Sequence, residues 1–315
     1  MARRVEARGA GGANEFQVYF WGVRGSVGAG GRCFANVGGN TSCVEVRCGD
    51  QTIILDGGSG LVQLSHCWAG RRHATFFFSH YHWDHIIGFP FFRPAYLPEN
   101  AFTLYGPGTG EAGVRASLAR LMQPPHFPIA LSELQADLDF RSIGPGDAVR
   151  IGSMRVCAGA LHHPQPCLGY RVTVGGASVV YATDTEAAPT GTIDPAVLQL
   201  ARGADVLIHD AQFTDDEYEG RSAVPRRGWG HASVSAACRL ARAAGVKTLV
   251  LFHHDPLHDD AAVEQLERQA RTLMPNALAA REGMVLTLPS QAVLAPDVGA
   301  VHDTEHFAIA PSRPF

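Results

Sequence analysis

Thr75-Phe76-Phe77-Phe78-Ser79-His80-Tyr81-His82-Trp83-Asp84-His85 is the most informative stretch of this chain: an apolar run stops, and three imidazoles and a carboxylate follow within six positions. The run, residues 75–79, reads as a buried β-strand. In extended chain, side chains at i and i+2 share a face, so His80 and His82 leave the strand end pointing the same way. A turn after them brings Asp84 and His85 round to a second point close by. Neutral imidazole and carboxylate are ligands for zinc and its first-row neighbours. Histidines gathered by chance on a surface do not fall into this H-x-H-x-D-H order, so the stretch points to a metal centre at a strand end.

A hexapeptide cannot complete two metal sites, and further ligand types stand where other apolar runs end. Gln51 to Leu55 reads as a strand and stops at Asp56-Gly57-Gly58. The strand opening at Met154 is followed by His162-His163-Pro164. Tyr181-Ala182-Thr183 runs into Asp184, and Leu249 to Phe252 runs into His253-His254-Asp255. Each placement alone has an ordinary explanation as a solvated side chain; their agreement predicts a site along one edge of packed sheets.

Further out, Phe16 to Trp21 reads as a first strand, and Gly22 to Ser42 as a wide, glycine-rich hairpin loop leading into Cys43–Cys48. No Gly-Lys-Ser/Thr closes that loop, so it is not a phosphate-cradling P-loop. Gly49-Asp50 is a hairpin turn. Gly88 to Pro94 and on to Tyr96 is an aromatic, proline-stiffened loop, whose fate is either a pocket wall or core. Helices are expected over 111–122, from the Asp194-Pro195 start, over 232–244 and over 261–274, with strands over 149–151, 154–158, 170–174, 178–182, 205–208 and 248–252. Strands interleaved with helices predict a layered α/β domain over 15–290, flanked by a disordered tail over 1–14 and an extension over 291–315.

The 315 residues are 46% hydrophobic and 18% charged, the balance of an ordinary globular chain. A net charge of −4 supplies no global field for nucleic acid, although a local basic patch could still serve. Seven cysteines without a C-x-x-C pair read as thiols in a reducing compartment. No apolar run is long enough to span a bilayer and no signal peptide is legible, so a cytoplasmic location is expected.

With these residues in hand, the chain resembles the metallo-β-lactamase fold superfamily over about residues 16–288. The resemblance implies an αββα four-layer sandwich with two divalent metal ions. Zinc is the expected metal, with manganese or iron compatible. His80, His82 and His163 would hold one ion, and Asp84, His85 and His253 the other, with Asp184 as the bridge and Asp56 behind the motif loop. His163 is preferred to His162 because His163-Pro164 before Gly169-Tyr170-Arg171 resembles the phosphodiesterase branch. His253 is preferred to His254 as the first residue past the buried strand.

Within the superfamily, Ile208-His209-Asp210-Ala211 and Gly230-His231-Ala232-Ser233 are similar to two elements of the ribonuclease Z and cyclic-phosphate phosphodiesterase branch. In that resemblance Asp210 orients His231, which protonates the departing oxygen, and Asp84 belongs to the catalytic set. Asp here stands where the branch has Glu, one methylene shorter. The expected activity is hydrolysis of a small or cyclic phosphodiester by water activated between the two cations. The basic stretch Arg221 to Trp229 nominates Arg226 or Arg227 for the substrate phosphate and Trp229 for stacking. Other activities stay open: a lactone or thioester hydrolase, a tRNA 3′-end endonuclease, or a metal module without turnover. His82 excludes the flavo-diiron pattern, which has Glu there, and Asp184 excludes lactamases with a Cys ligand. No basic arm of the ribonuclease Z kind is legible, which favours a small substrate over tRNA. The family resemblance makes a homodimer the expected assembly.

Overall fold

The computed structural model describes residues 15–68, 70–187, 192–222 and 224–289; both expected terminal segments lie outside the described residues. The strands are β1 (Phe16–Gly22), β2 (Cys43–Cys48), β3 (Gln51–Leu55), β4 (His73–Phe77), β5 (Ala101–Gly106), β6 (Asp137–Ser142), β7 (Ala148–Ile151), β8 (Met154–Leu161), β9 (Cys167–Val174), β10 (Ala177–Ala182), β11 (Val206–Asp210), β12 (Thr248–Phe252), β13 (Ala277–Ala279) and β14 (Val285–Leu288). The helices are α1 (Gly60–His66), α2 (Trp83–Ile86), α3 (Val114–Leu121), α4 (Pro195–Ala201), α5 (Asp215–Glu219), α6 (Val234–Ala243) and α7 (Asp260–Leu273).

The strands form two sheets, in the orders β14-β1-β2-β3-β4-β5-β6 and β13-β12-β11-β10-β9-β8-β7. Three apolar clusters account for the layering. Phe16, Val44, Val46 and Phe77 of the first sheet meet Val156, Tyr170, Val172 and Ile208 of the second. The outer face of the second sheet packs Leu207 and Leu249 on Val197, Ala237 and Leu266 of α4, α6 and α7. The outer face of the first buries Phe76 and Leu104 against Leu61, Leu64 and Leu118 of α1 and α3. Helix, sheet, sheet, helix is the expected four-layer sandwich. Strands covered on both faces read as continuous apolar runs rather than alternations, which is why β10 and β12 are legible as strands.

Several local readings change. The helix expected over 111–122 begins only at Val114, because Gly113 has extended backbone and a separate 3₁₀ turn occupies 110–112. Ser233 and Asp259 cap α6 and α7 through their side chains, so these helices start one or two residues away from their expected bounds. Elements α1, β5, β6, α5, β13 and β14 are not among those expected from the sequence. β6, for example, is a half-exposed edge strand studded with Asp137, Asp139 and Arg141. Phe89 and Phe92 of the aromatic loop are fully buried against Phe76, making core rather than a pocket wall.

β3 to β6 run parallel to one another, as do β10 to β13. Parallel strands end together, and in open α/β sheets ligands gather outside their carboxyl ends. β3, β4, β8, β10, β11 and β12 all deliver their following residues to this one edge of the sandwich.

Candidate metal centre

β4 stops at Phe77, so His80 and His82 belong to the loop beyond it, and His82 stands directly before α2. The donors of His80, His82, His163 and Asp184 lie within 4.8 Å of one another, as do those of Asp84, His85, Asp184 and His253. Asp184 is common to both groups, between the two halves of the cluster. All seven residues nominated as ligands therefore converge. Four non-glycine residues have positive φ among the described residues: Ser26 (62°), Asp56 (59°), Asp184 (51°) and His253 (60°). Each lies in or against this cluster, and three of them directly follow an apolar strand or its first turn. The left-handed conformation swings a side chain out of the strand's alternation towards the site, at about 1–3 kcal/mol each.

Hydrogen bonds fix the imidazoles. His85 Nδ1 donates to Asp56 Oδ2 at 2.7 Å. The Ser79 hydroxyl donates to the same Asp56 oxygen and lies 3.0 Å from His80 Nδ1, which donates back to it. His163 Nδ1 donates to the Gly230 carbonyl at 3.1 Å, and His253 Nδ1 to Gln212 Oε1 at 3.3 Å. Each of these four rings thereby keeps an Nε2 lone pair for the cluster, the arrangement by which outer partners set a ligand's tautomer. Asp56 also accepts from the Ser79 amide and the Tyr181 hydroxyl, so its carboxylate organises the whole motif loop.

Spacing tests whether a cation fits. Zinc at 2.0–2.1 Å from tetrahedral ligands needs ligand atoms about 3.3–3.4 Å apart. His253 Nε2 is 3.3 Å from His85 Nε2 and 3.1 Å from Asp84 Oδ2, and Asp184 Oδ2 is 3.2 Å from both histidine nitrogens. On the other side His163 Nε2 is 3.4 Å from His82 Nδ1. His80 Nε2 is buried without a hydrogen-bond partner, which a neutral protein environment rarely tolerates. The electrostatics agree. Burial opposes a charge on His85, yet Asp184, Asp84 and Asp56 hold its pKa well above the usual imidazole range. Burial likewise raises the Asp184 carboxyl, and His253, His85 and His80 more than reverse it, keeping Asp184 ionised. Burial and His85 keep His80 neutral, far below its ordinary pKa. A field that holds a proton on a buried histidine is one that attracts a cation.

His162 is exposed, whereas His254 is buried and bonded through Nε2 to the Ala280 carbonyl; burial and Arg24 push the pKa of His254 down to about 3. Neither side chain joins the cluster. His209, also neutral through burial, bonds the Asp210 carbonyl instead.

Beyond the cluster, His231 Nδ1 donates to Asp210 Oδ2 at 2.7 Å, and the His231 ring stacks 4.9 Å from that of His253. The shorter Asp side chain reaches because the amides of Gln212 and Ala232 hold its other oxygen. Burial works against a charge on His231, but Asp210, then Asp184 and Asp84, raise its pKa to about 9. His231 lines a pocket of about 330 Å³ with Ser26, Phe213, Arg226, Trp229 and Leu257. Arg226 sits 4.4 Å over the Trp229 ring, and its Nε is buried without a partner. Arg227 turns away, paired with Glu219 at 2.6 Å, and does not line the pocket.

Sequence reasoning missed Ser26, whose amide donates to Asp84 Oδ2 at 2.7 Å, and Gln212, which links His253 to the Ser26 hydroxyl. Neither residue type advertises such a role, and only the fold brings them in. Gly25 belongs with them: a Cβ there would lie 2.2 Å from His253 Nδ1.

A model of the beta-lactamase superfamily domain matches residues 52–254, which contain the whole cluster and the His231–Asp210 pair. The chain belongs to the beta-lactamase superfamily. Ribonuclease BN of Escherichia coli K12 is 28% identical over 247 residues, covering 63% of this chain and 76% of that one. Among solved structures, the metallo-beta-lactamase fold protein YhfI of Bacillus subtilis aligns with TM-score 0.64 at 20% identity, covering 87% of this chain and 100% of that one. A diphosphatase of the PhnP family aligns with TM-score 0.65 at 18% identity, covering 87% and 98%. The short form of human tRNase Z aligns at 0.60 and 21%, covering 87% and 99%. At these identities the superfamily members share the fold.

Proposed function

We propose that this chain is a phosphodiesterase of the superfamily, acting on a small or cyclic phosphodiester with two zinc ions, manganese or iron being compatible with the same donors. The observation that carries the reading is the His231–Asp210 pair at 2.7 Å, set beside the ligand cluster and lining the adjoining pocket. A phosphodiester needs a proton for its departing oxygen, and a buried, carboxylate-bound imidazole is a proton donor already in place. His80, His82, His163 and Asp184 would hold one cation, and Asp84, His85, His253 and Asp184 the other. Bound there, two cations supply Lewis acidity towards both reacting oxygens and a nucleophile from water near neutral pH.

The chain's own groups divide the remaining work. Asp210 accepts from His231 Nδ1 and favours the imidazolium, whose Nε2–H is then the donating group. Arg226, backed by Trp229 and with an unpartnered Nε, offers a fixed positive charge to a phosphate oxygen entering the pocket. Trp229, 48% exposed, supports an aromatic contact with the leaving group. The pairing of Arg227 with Glu219 removes it from this role. Asp56, Ser79, Gln212 and Gly230 act by orienting ligands.

Purified, metal-analysed protein assayed against bis(p-nitrophenyl) phosphate, cyclic nucleotides, precursor tRNA, a lactone and a thioester tests this. Turnover of the small diesters is expected, and its absence beside lactone or thioester turnover overturns the reading. The likeness to ribonuclease BN supports a second reading as an RNA-processing endonuclease, for which precursor tRNA would be the preferred substrate. Equal metal content and turnover in wild type and Asp184→Ala would overturn both.

A further inference from the structure

Glu186 lies two residues past Asp184 and is 7% exposed. It faces the segment between α5 and α6, and that segment carries Arg226, Trp229 and His231. Its Oε1 accepts from the Tyr218 hydroxyl at 2.7 Å and from the Gly228 amide at 2.8 Å, while Oε2 accepts from the Gly230 amide at 2.9 Å. Its own amide donates to the His162 carbonyl at 2.8 Å, which ties it to the end of β8 next to His163. Tyr218 in turn accepts the Arg226 amide on its carbonyl at 3.2 Å. One carboxylate thus grips the pocket segment at two points and α5 at a third while anchored between two ligand-bearing strand ends.

The grip matters because, of the contacts that hold this segment, those of Glu186 are the ones that fix the amides of Gly228 and Gly230. Gly228 and Gly230 both have positive φ, 80° and 87°, in a stretch without regular structure. The Gly230 carbonyl receives His163 Nδ1, and a Cβ on Gly230 would lie 2.2 Å from that nitrogen, so the segment is held in close register against a ligand. His231 follows immediately. We propose that Glu186 is a positioning residue: by fixing Gly228 and Gly230 it sets where His231 stands relative to the metal cluster, and where Arg226 and Trp229 wall the pocket. This rests on the phosphodiesterase reading for its kinetic consequence and on hydrogen bonding alone for its structural one.

The test uses the full chain carrying Glu186→Ala, with Glu186→Gln and Tyr218→Phe as milder variants that remove fewer of the bonds. Amide hydrogen exchange is expected to rise about tenfold at Gly228 and Gly230 in Glu186→Ala, with metal content unchanged. Turnover of a diester with a poor leaving group is expected to fall about tenfold, and that of bis(p-nitrophenyl) phosphate much less, since p-nitrophenolate departs without a proton. In a His231→Ala background, Glu186→Ala is expected to cost nothing further on the poor leaving group, the non-additivity of residues acting as a unit. Unchanged exchange at Gly228 and Gly230 overturns the proposal, as does an equal loss with and without His231. Should the wild type cleave no phosphodiester, the functional reading fails, and the exchange experiment alone decides the role of Glu186.

Discussion

Asp210 and His231 show how much chemistry a single contact carries. Their 2.7 Å bond fixes the ring and favours its imidazolium form, and its pKa of about 9 leaves it protonated at neutral pH, with Nε2–H free to donate. His231→Ala is expected to lower turnover by about 10²–10⁴-fold, the usual worth of a positioned acid, with the larger loss for poor leaving groups in steady-state assays. The sign of the pH effect follows from the raised pKa: the acid form persists below about 9 and is lost as pH climbs through it, so turnover falls on the alkaline side. Cations neutralising Asp84 and Asp184 remove part of the elevation and leave Asp210's share. Asp210→Asn is therefore expected to move the alkaline limb to lower pH in a pH–rate profile. Asp56 acts differently, through Ser79, His85 and Tyr181. Asp56→Ala is expected to weaken metal binding by about 10–100-fold, measurable by competition with a chelator.

The elements earn their place by where they stop. Just past the ends of strands β3, β10 and β12 stand Asp56, Asp184 and His253, whose left-handed backbone turns their side chains inward. The loop between β1 and β2 packs on these ends so closely that Gly25 has no room for a methyl group beside His253. Gly25→Ala is expected to displace His253 and reduce retention of one cation by an order of magnitude or more, read by elemental analysis after dialysis. Beneath the motif loop, Phe76 meets Phe89, Phe92 and Phe102 edge-on at 5.6 to 5.9 Å. Phe76→Ala is expected to destabilise the fold by about 3–5 kcal/mol, seen as a lower urea midpoint.

Across the whole molecule, two sheets and their helices hold Asp56, the hexapeptide, His163, Asp184, Asp210 and His253 at one edge, although they are scattered over 198 positions from 56 to 253. A cation held by donors from both halves of the sandwich would tie them together. Ligand at about 100 times its Kd adds about 2.7 kcal/mol to the folded state, so stripping metal with a chelator is expected to lower the melting temperature by at least about 5 °C. Readdition of zinc is expected to restore it in the same calorimetric or dye-based scan. No helix among the described residues is long and apolar enough to cross a membrane.

The layered α/β class was legible in the chain because a strand buried on both faces announces itself as an unbroken apolar run. The candidate donors stood out as residue types following such runs, while their division between two cations and the partnership of Asp210 with His231 came from the family resemblance. Edge strands such as β6, the short α1 and the partners Ser26, Gln212 and Glu186 were not legible, since their roles come from neighbours distant in sequence. Arg226 and Arg227 make the same point: identical, adjacent side chains, one stacked over Trp229 at the pocket and the other drawn off by Glu219. Composition and order name the donors. Which lone pair faces the cluster, and which charge is left free to meet a substrate, depends on hydrogen bonds and packing that exist only once the two sheets have closed on each other.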